Sequence, residues 1–203
     1  ADMLDTAGVP YCKGGVMAKN PAFRGSLELW TSRVVEWVRR SKPQDLLNVD
    51  IVFDMRPVHG DMALGRELFE HAYETGHAEA HFAKLLGATL EELGNPFSLF
   101  GSFQLEDGRL DLKKYGLFPI VTTARTLAIR HDIRERSTKA RLERLIGLGI
   151  GGDRDMQAML SGHALILSLL LAQQTRDLHA GIPASNRVEI GRLPRAEQGE
   201  LKA

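Results

Sequence analysis

The chain has almost no cysteine, no excess of either charge and no long apolar run, and each absence removes a class of protein. Cys12 is the single cysteine of 203 residues, so no internal disulfide can form and a reducing, cytoplasmic setting is expected. Lys plus Arg and Asp plus Glu number 26 each, giving a formal net charge of zero. A neutral chain without a long basic run argues against nucleic acid as the main partner, while leaving room for a small anionic ligand such as a nucleotide. The longest apolar stretch, Ala164 to Ala172, is interrupted by Ser168. It is far short of the roughly 20 residues that span a bilayer, so a buried helix is expected and a membrane role is not. Residues 1–10 carry Asp2 and Asp5 and no basic start, unlike a secretory leader.

What is present begins with glycine and proline. Gly8, Pro10, Gly14, Gly15, Pro21 and Gly25 punctuate the first 25 residues, which read as loop with a short helical end before Gly8. A domain that opens without a core-forming element is expected to start upstream. Ser26 then reads as an N-cap, with Leu27, Trp30, Val34 and Val38 at helical spacing behind it and cations before Pro43. Leu46–Met55 alternates, placing Leu47, Val49, Ile51 and Phe53 on one face, and reads as a strand. From Ala63 the pattern is helical, with segments over 63–74, 77–93, 117–131, 138–148 and 153–180. Asp107-Gly108 between two apolar runs predicts a hairpin insert. The tail from Ser185 is polar and shows no clear core. The expected fold is mainly α of the α+β kind: a partial sheet, then a helical bundle with a β-hairpin insert.

Several constellations bear on chemistry. Asp50 and Asp54 share a strand face, but ~13 Å apart at strand rise they cannot hold one ion by themselves. Either could complete a carboxylate set for two-metal phosphoryl or nucleotidyl transfer, or be a solvated carboxylate. Arg56 could pair with a carboxylate or a phosphate. Lys13, Gly14 and Gly15 offer a cation and two glycines where backbone N–H groups can approach phosphate, although no Gly-Lys-Ser/Thr follows and a structural turn explains them as well. His77 and His81 are one helical turn apart, yet Ala78 stands where a zinc protease needs Glu, so a surface pair is the simpler reading. Asp153-Arg154-Asp155 sits at a helix start and reads as capping. The arginines from Arg125 to Arg144, with Lys113 and Lys114 just before them, read as solvated helix faces or as an anion-facing groove for a nucleotide or an acidic partner. The Met and Leu residues of 156–171 read as core.

Three strings, taken in order, carry a resemblance: Gly8-Val-Pro-Tyr-Cys-Lys-Gly-Gly-Val-Met-Ala18, Leu47-Asn-Val-Asp-Ile-Val-Phe-Asp-Met-Arg-Pro-Val-His-Gly-Asp61 and Asp111-Leu-Lys-Lys-Tyr-Gly-Leu-Phe-Pro-Ile-Val121. Together they resemble the nucleotidyltransferases related to the PII-protein uridylyltransferase, and the resemblance covers nearly the whole chain. Such proteins are typically signal-transduction chains, often with cyclic-nucleotide-binding and CBS modules upstream. The resemblance implies that residues 1–62 are the C-terminal part of a nucleotidyltransferase domain and 63–203 a helical substrate-binding domain. It implies Asp54 as third catalytic carboxylate and metal ligand, with Asp50 as second choice, and Lys13, Gly14, Gly15 and Arg56 near the phosphates. It also implies Mg2+ and a nucleoside triphosphate in the intact enzyme, and a PII-like protein or a small molecule as acceptor.

The chain departs from that family where a Gly-Ser turn should lead into a strand-borne Asp-x-Asp. Gly25-Ser26 leads into a helix and Gly101-Ser102 into the hairpin. This predicts a fragment that does not catalyse transfer alone, with a homodimer covering its exposed sheet edge. Three functions follow: part of a metal-dependent enzyme moving a nucleoside monophosphate from a triphosphate, a non-catalytic nucleotide- or partner-binding regulatory module, or a purely structural helical domain. An Asp-x-Asp upstream would separate the first from the second, and nucleotide binding would separate both from the third.

Overall fold

The computed structural model describes residues 1–41, 48, 51–98 and 101–202. The chain is mainly helical with one small antiparallel β pair, as its patterning requires. It divides into two compact units, Ala1–Ala72 and Tyr73–Ala203.

In the first unit, α1 (Asp2–Thr6) is a single short turn and α2 (Leu27–Arg40) is the main element. Ser26 caps α2 as its sequence predicts, its hydroxyl accepting from the Leu29 N–H at 3.2 Å. The helix stops where Ser41 turns left-handed, with Arg39 and Arg40 in the last turn where the dipole favours cations. Trp30 and Trp37 meet edge to face at 6.0 Å, and Phe23 lies against Trp30. An apolar groove of about 310 Å³ runs past Met17, Phe23, Trp30, Val52 and Met55.

The strand expected over Leu46–Met55 is not formed at its described positions. Residues 51–53 are helical and end in a turn at Asp54. Val52 and Phe53 are both buried while Ile51 is 39% exposed, a burial pattern that a two-residue period cannot produce. The sheet edge on which a covering dimer was expected is therefore absent at these residues.

The helix α3 (Met62–Ala78) is longer than expected, and the helix after it, α4 (Ala80–Ala88), is shorter. Within the second unit, α4 packs on α5 (Phe118–Arg130), α5 on α6 (Thr138–Gly147) and α6 on α7 (Asp153–His179). Ser137 caps α6 by accepting from the Ala140 N–H at 3.1 Å. Ala124, Ala128, Leu142, Leu145 and Met156 close the core between these helices.

A second core lies under the β pair. Asp107 and Gly108 both take positive φ, the backbone of a type I′ turn, so the turn is where sequence placed it. Its second strand, β1 (Arg109–Asp111), finds a different partner. Beyond the bridge from Glu106 to Arg109, β1 pairs with β2 (Arg187–Glu189) from the tail. The tail thus supplies core where none was expected: Val188 and Ile190 are buried with Leu110, Leu112, Ile166, Leu169 and Leu170. A last short helix, α8 (Arg195–Glu200), follows.

By length and composition α7 could cross a membrane, and only 22% of its most apolar window is buried. Leu167 and Leu171, expected in the core, are 45% and 67% exposed. The opposite face carries Ile166, Leu169 and Leu170 into the β-pair core together with buried Gln173 and Asp177, which makes α7 a core helix with one open side.

Candidate functional site

None of the described residues singled out from sequence as site candidates in the first unit is fully buried. Lys13, Gly14, Asp54 and Arg56 are exposed and Gly15 is half-buried. Asp50 lies outside the described residues. The Gly15 N–H is spent on the Cys12 carbonyl at 2.9 Å, and the Asn20 amide donates to the Gly15 carbonyl at 3.1 Å. That is a closed turn, with Gly15 in the left-handed region that suits glycine. Asp54 sits at a helix end, not on a strand. Among the described residues no three His, Cys, Asp or Glu come together to hold a metal ion, so the donor set a divalent cation needs is not assembled there.

His77 and His81 fall on separate helices, because the chain leaves helical geometry at Glu79. The His77 Nδ1 lies 3.0 Å from the Arg130 carbonyl. Asp153 and Asp155 stand exposed in the first turn of α7, where the helix dipole favours carboxylates. The arginines divide: Arg130, Arg136 and Arg144 are exposed, whereas Arg125 and Arg141 are buried. Arg141 donates to the Glu135 carbonyl at 2.7 Å and to the Tyr73 hydroxyl at 3.1 Å, holding structure together where an open anion groove was one expectation.

The feature that sequence reasoning passed over is the turn between β1 and α5. Lys113–Leu117 forms a π-helical turn, closed by the Phe118 N–H donating to the Lys113 carbonyl. Such wide turns are uncommon and recur at functional sites. Asp111 caps it, its carboxylate accepting from the Lys114 N–H at 2.9 Å. Gly116 lets the turn lie against α7, since a Cβ there would meet Ile166 Cδ1 at 2.7 Å. With Leu112 anchored in the core and Gly116 pressed on α7, Lys113 and Lys114 are carried outward on a ridge. The signal was present in the third string of the resemblance, whose Lys-Lys-Tyr-Gly-Leu run is this turn.

A polar cleft of about 280 Å³ lies on one side of the ridge, lined by Asn95, Gln104, Glu106, Arg109, Lys114 and Arg187 among others. On the other side is an apolar groove of about 410 Å³, formed by Leu93, Leu117, Phe118 and Val121. Asp111 and Lys114 line both. Most charges here are already matched. Arg109 bridges Asp177 at 3.2 Å and Glu189 at 2.7 Å, and Arg187 meets Glu106 at 2.7 Å. The Gln173 amide donates to Asp177 at 2.8 Å. That hydrogen bond, then the Arg109 guanidinium and the Ser185 N–H, hold the Asp177 carboxyl below its ordinary value against the opposing effect of burial. Lys113 and Lys114 differ. Among the described residues neither ammonium has a carboxylate within ion-pair reach, and Lys114 Nζ reaches only the Tyr115 hydroxyl at 3.1 Å and its ring. Two ammoniums against the single carboxylate of Asp111 give the ridge a positive excess.

Residues 80–203, more than half of the chain, match the family model described as "Putative nucleotidyltransferase substrate binding domain". Residues 1–44 match the model described as "Putative nucleotidyltransferase DUF294". Comparison with curated proteins and with solved structures gives no match.

Proposed function

The chain belongs to the nucleotidyltransferase substrate-binding domain family, and from that premise we propose that its second unit holds the phosphates of a nucleotide at the Lys113–Lys114 ridge. The observation that carries this reading is the pair of ammoniums without a carboxylate partner, raised between a polar cleft and an apolar groove. Phosphate oxygens are the acceptors that such a pair lacks.

In the intact protein the reaction is transfer of a nucleoside monophosphate from a triphosphate to a protein or small acceptor, uridylyltransferase-like and in the service of signalling. Lys13, Gly14, Gly15, Arg56 and Asp54 belong to the transferase side of that reaction. A second reading is a regulatory module that binds nucleotide without chemistry, for which the ridge of the second unit would suffice.

Calorimetric titration of the 203-residue chain with ATP, UTP and CTP, with and without magnesium, tests the binding. The expected result is saturable binding that weakens with salt and falls several-fold when Lys113 and Lys114 are both changed to Ala. Wild-type affinity in that double variant would remove the ridge as the phosphate site. Absence of binding to any of the three would remove nucleotide from this unit.

A further inference from the structure

The apolar groove beside the ridge carries an inference that rests on the nucleotide reading and extends it. Phe118 stands at the start of α5, next to Pro119, and is 40% exposed. Its ring borders a groove otherwise made by Leu93, Leu117 and Val121, with Asp111, Lys113 and Lys114 at the rim. A large aromatic left half in water at the edge of an apolar groove is what a flat π-system covers best. The charges say which flat molecule fits. A plain hydrophobe would leave the two ammoniums without an anionic partner, whereas a nucleotide offers a base for the groove and phosphates for the ridge.

We propose that the groove is the nucleobase platform of this unit, with Phe118 stacking the base while Lys113 and Lys114 hold the phosphates. A second consequence follows from what lines it. Leu93, Leu117, Phe118 and Val121 present no side-chain donor or acceptor to the edge of a base, the Asp111 carboxylate that also lines the groove already accepts from the Lys114 N–H at 2.9 Å, and the polar amides Asn95 and Gln104 lie in the cleft across the ridge. Stacking uses the face that every base possesses, so the platform tells nucleotides from bare phosphates but discriminates poorly among bases.

The test compares ATP, UTP and inorganic tripolyphosphate as ligands of the full chain by calorimetry, for the wild type, Phe118→Ala and Phe118→Tyr. Loss of a base–aromatic stack should weaken ATP by about tenfold or more in Phe118→Ala. Tripolyphosphate should bind that variant as it binds the wild type, and Phe118→Tyr should restore ATP. ATP and UTP should differ by only a few-fold in the wild type. If Phe118→Ala binds ATP unchanged while the Lys113→Ala, Lys114→Ala variant loses it, the ridge stands and the platform is overturned. Equal weakening of ATP and tripolyphosphate in Phe118→Ala, or failure of Phe118→Tyr to restore, would also overturn it, since either marks a disturbed turn. A wild type that binds none of the three ligands overturns both the platform and the ridge.

Discussion

The two units spend their apolar residues differently. In the second, β pair and helices close two cores, and residues as far apart in sequence as Leu110 and Val188 are 3% and 0% exposed. In the first, no residue before Val34 is buried, and Met3, Leu4 and Val9 are 86%, 58% and 55% exposed. The contrast extends to the chemistry. Lys13 and Gly14 ride on an exposed turn closed by local hydrogen bonds, from the Gly15 N–H to Cys12 and from the Asn20 amide to Gly15. Lys113 and Lys114 ride on a turn gripped at Leu112 and at Gly116. A groove that must hold a ligand needs walls that stay put, and the second unit has them.

The largest expected effect comes from emptying the better core. Leu142→Ala should cost about 2–5 kcal/mol of unfolding free energy, because the side chain is fully enclosed among α5, α6 and α7 and a cavity remains. Leu4→Ala should stay within about 0.5 kcal/mol, because its side chain is already in water. Urea denaturation of both variants measures the difference. Equal costs would break the comparison and place Leu4 in a packed environment in solution.

Next in size is Gly116→Ala. The added methyl must displace Ile166 Cδ1, which the surrounding core resists, and the expected cost is about 1–3 kcal/mol. Because the turn carries the ridge, ATP affinity should fall in the same variant. Lost stability with unchanged affinity would mean that the ammoniums do not depend on the turn's seat against α7.

How far this molecule could be read from its sequence follows the same division. Local signals succeeded where a short-range rule sufficed: the cap at Ser26, the turn at Asp107-Gly108, and the span of α7. The β pair was illegible because its partner strands are three residues each, too short for periodicity to show, and their paired residues lie 76 to 80 positions apart. The alternation at Leu46–Met55 misled because period two is weak evidence over few residues. Residues 51–53 follow a helical backbone instead, and the preceding positions 46, 47, 49 and 50 lie outside the described residues. Lys113 and Lys114 were legible as part of a basic stretch, but the turn that raises them was not, because a π-turn has no compositional signature. Gly116 was its single mark, and glycine alone has many uses.

A smaller effect concerns acid. The folded state holds the Asp177 carboxyl below its ordinary value of 3.8, so the stabilisation is fully present above that value and is lost as pH falls through the lower folded one. Asp177→Asn should lower the melting temperature at neutral pH and flatten its decline below pH 3.8. His163 acts in a separate window. Burial holds its imidazole below the ordinary 6.5, so stability should begin to erode as pH drops under that value. Melting curves between pH 7 and pH 3 resolve the two, and an unaltered acid limb in Asp177→Asn would mean that the Gln173–Asp177–Arg109 network is not what fastens β2 to α7.

The smallest expected effect is the one that separates the units most sharply. Asp54→Asn removes an exposed charge at a helix end and should leave stability within about 0.5 kcal/mol of wild type. If the ridge of the second unit holds the nucleotide, ATP affinity measured without magnesium should also be unchanged. With magnesium the two sides of the comparison part company. An affinity gain from the metal in the wild type that disappears in Asp54→Asn would make Asp54 a working ligand of the ion, and the first unit a participant despite its open packing. A gain that persists in Asp54→Asn would leave the metal riding on the phosphates alone. Nucleotide binding would then be a property of the second unit alone.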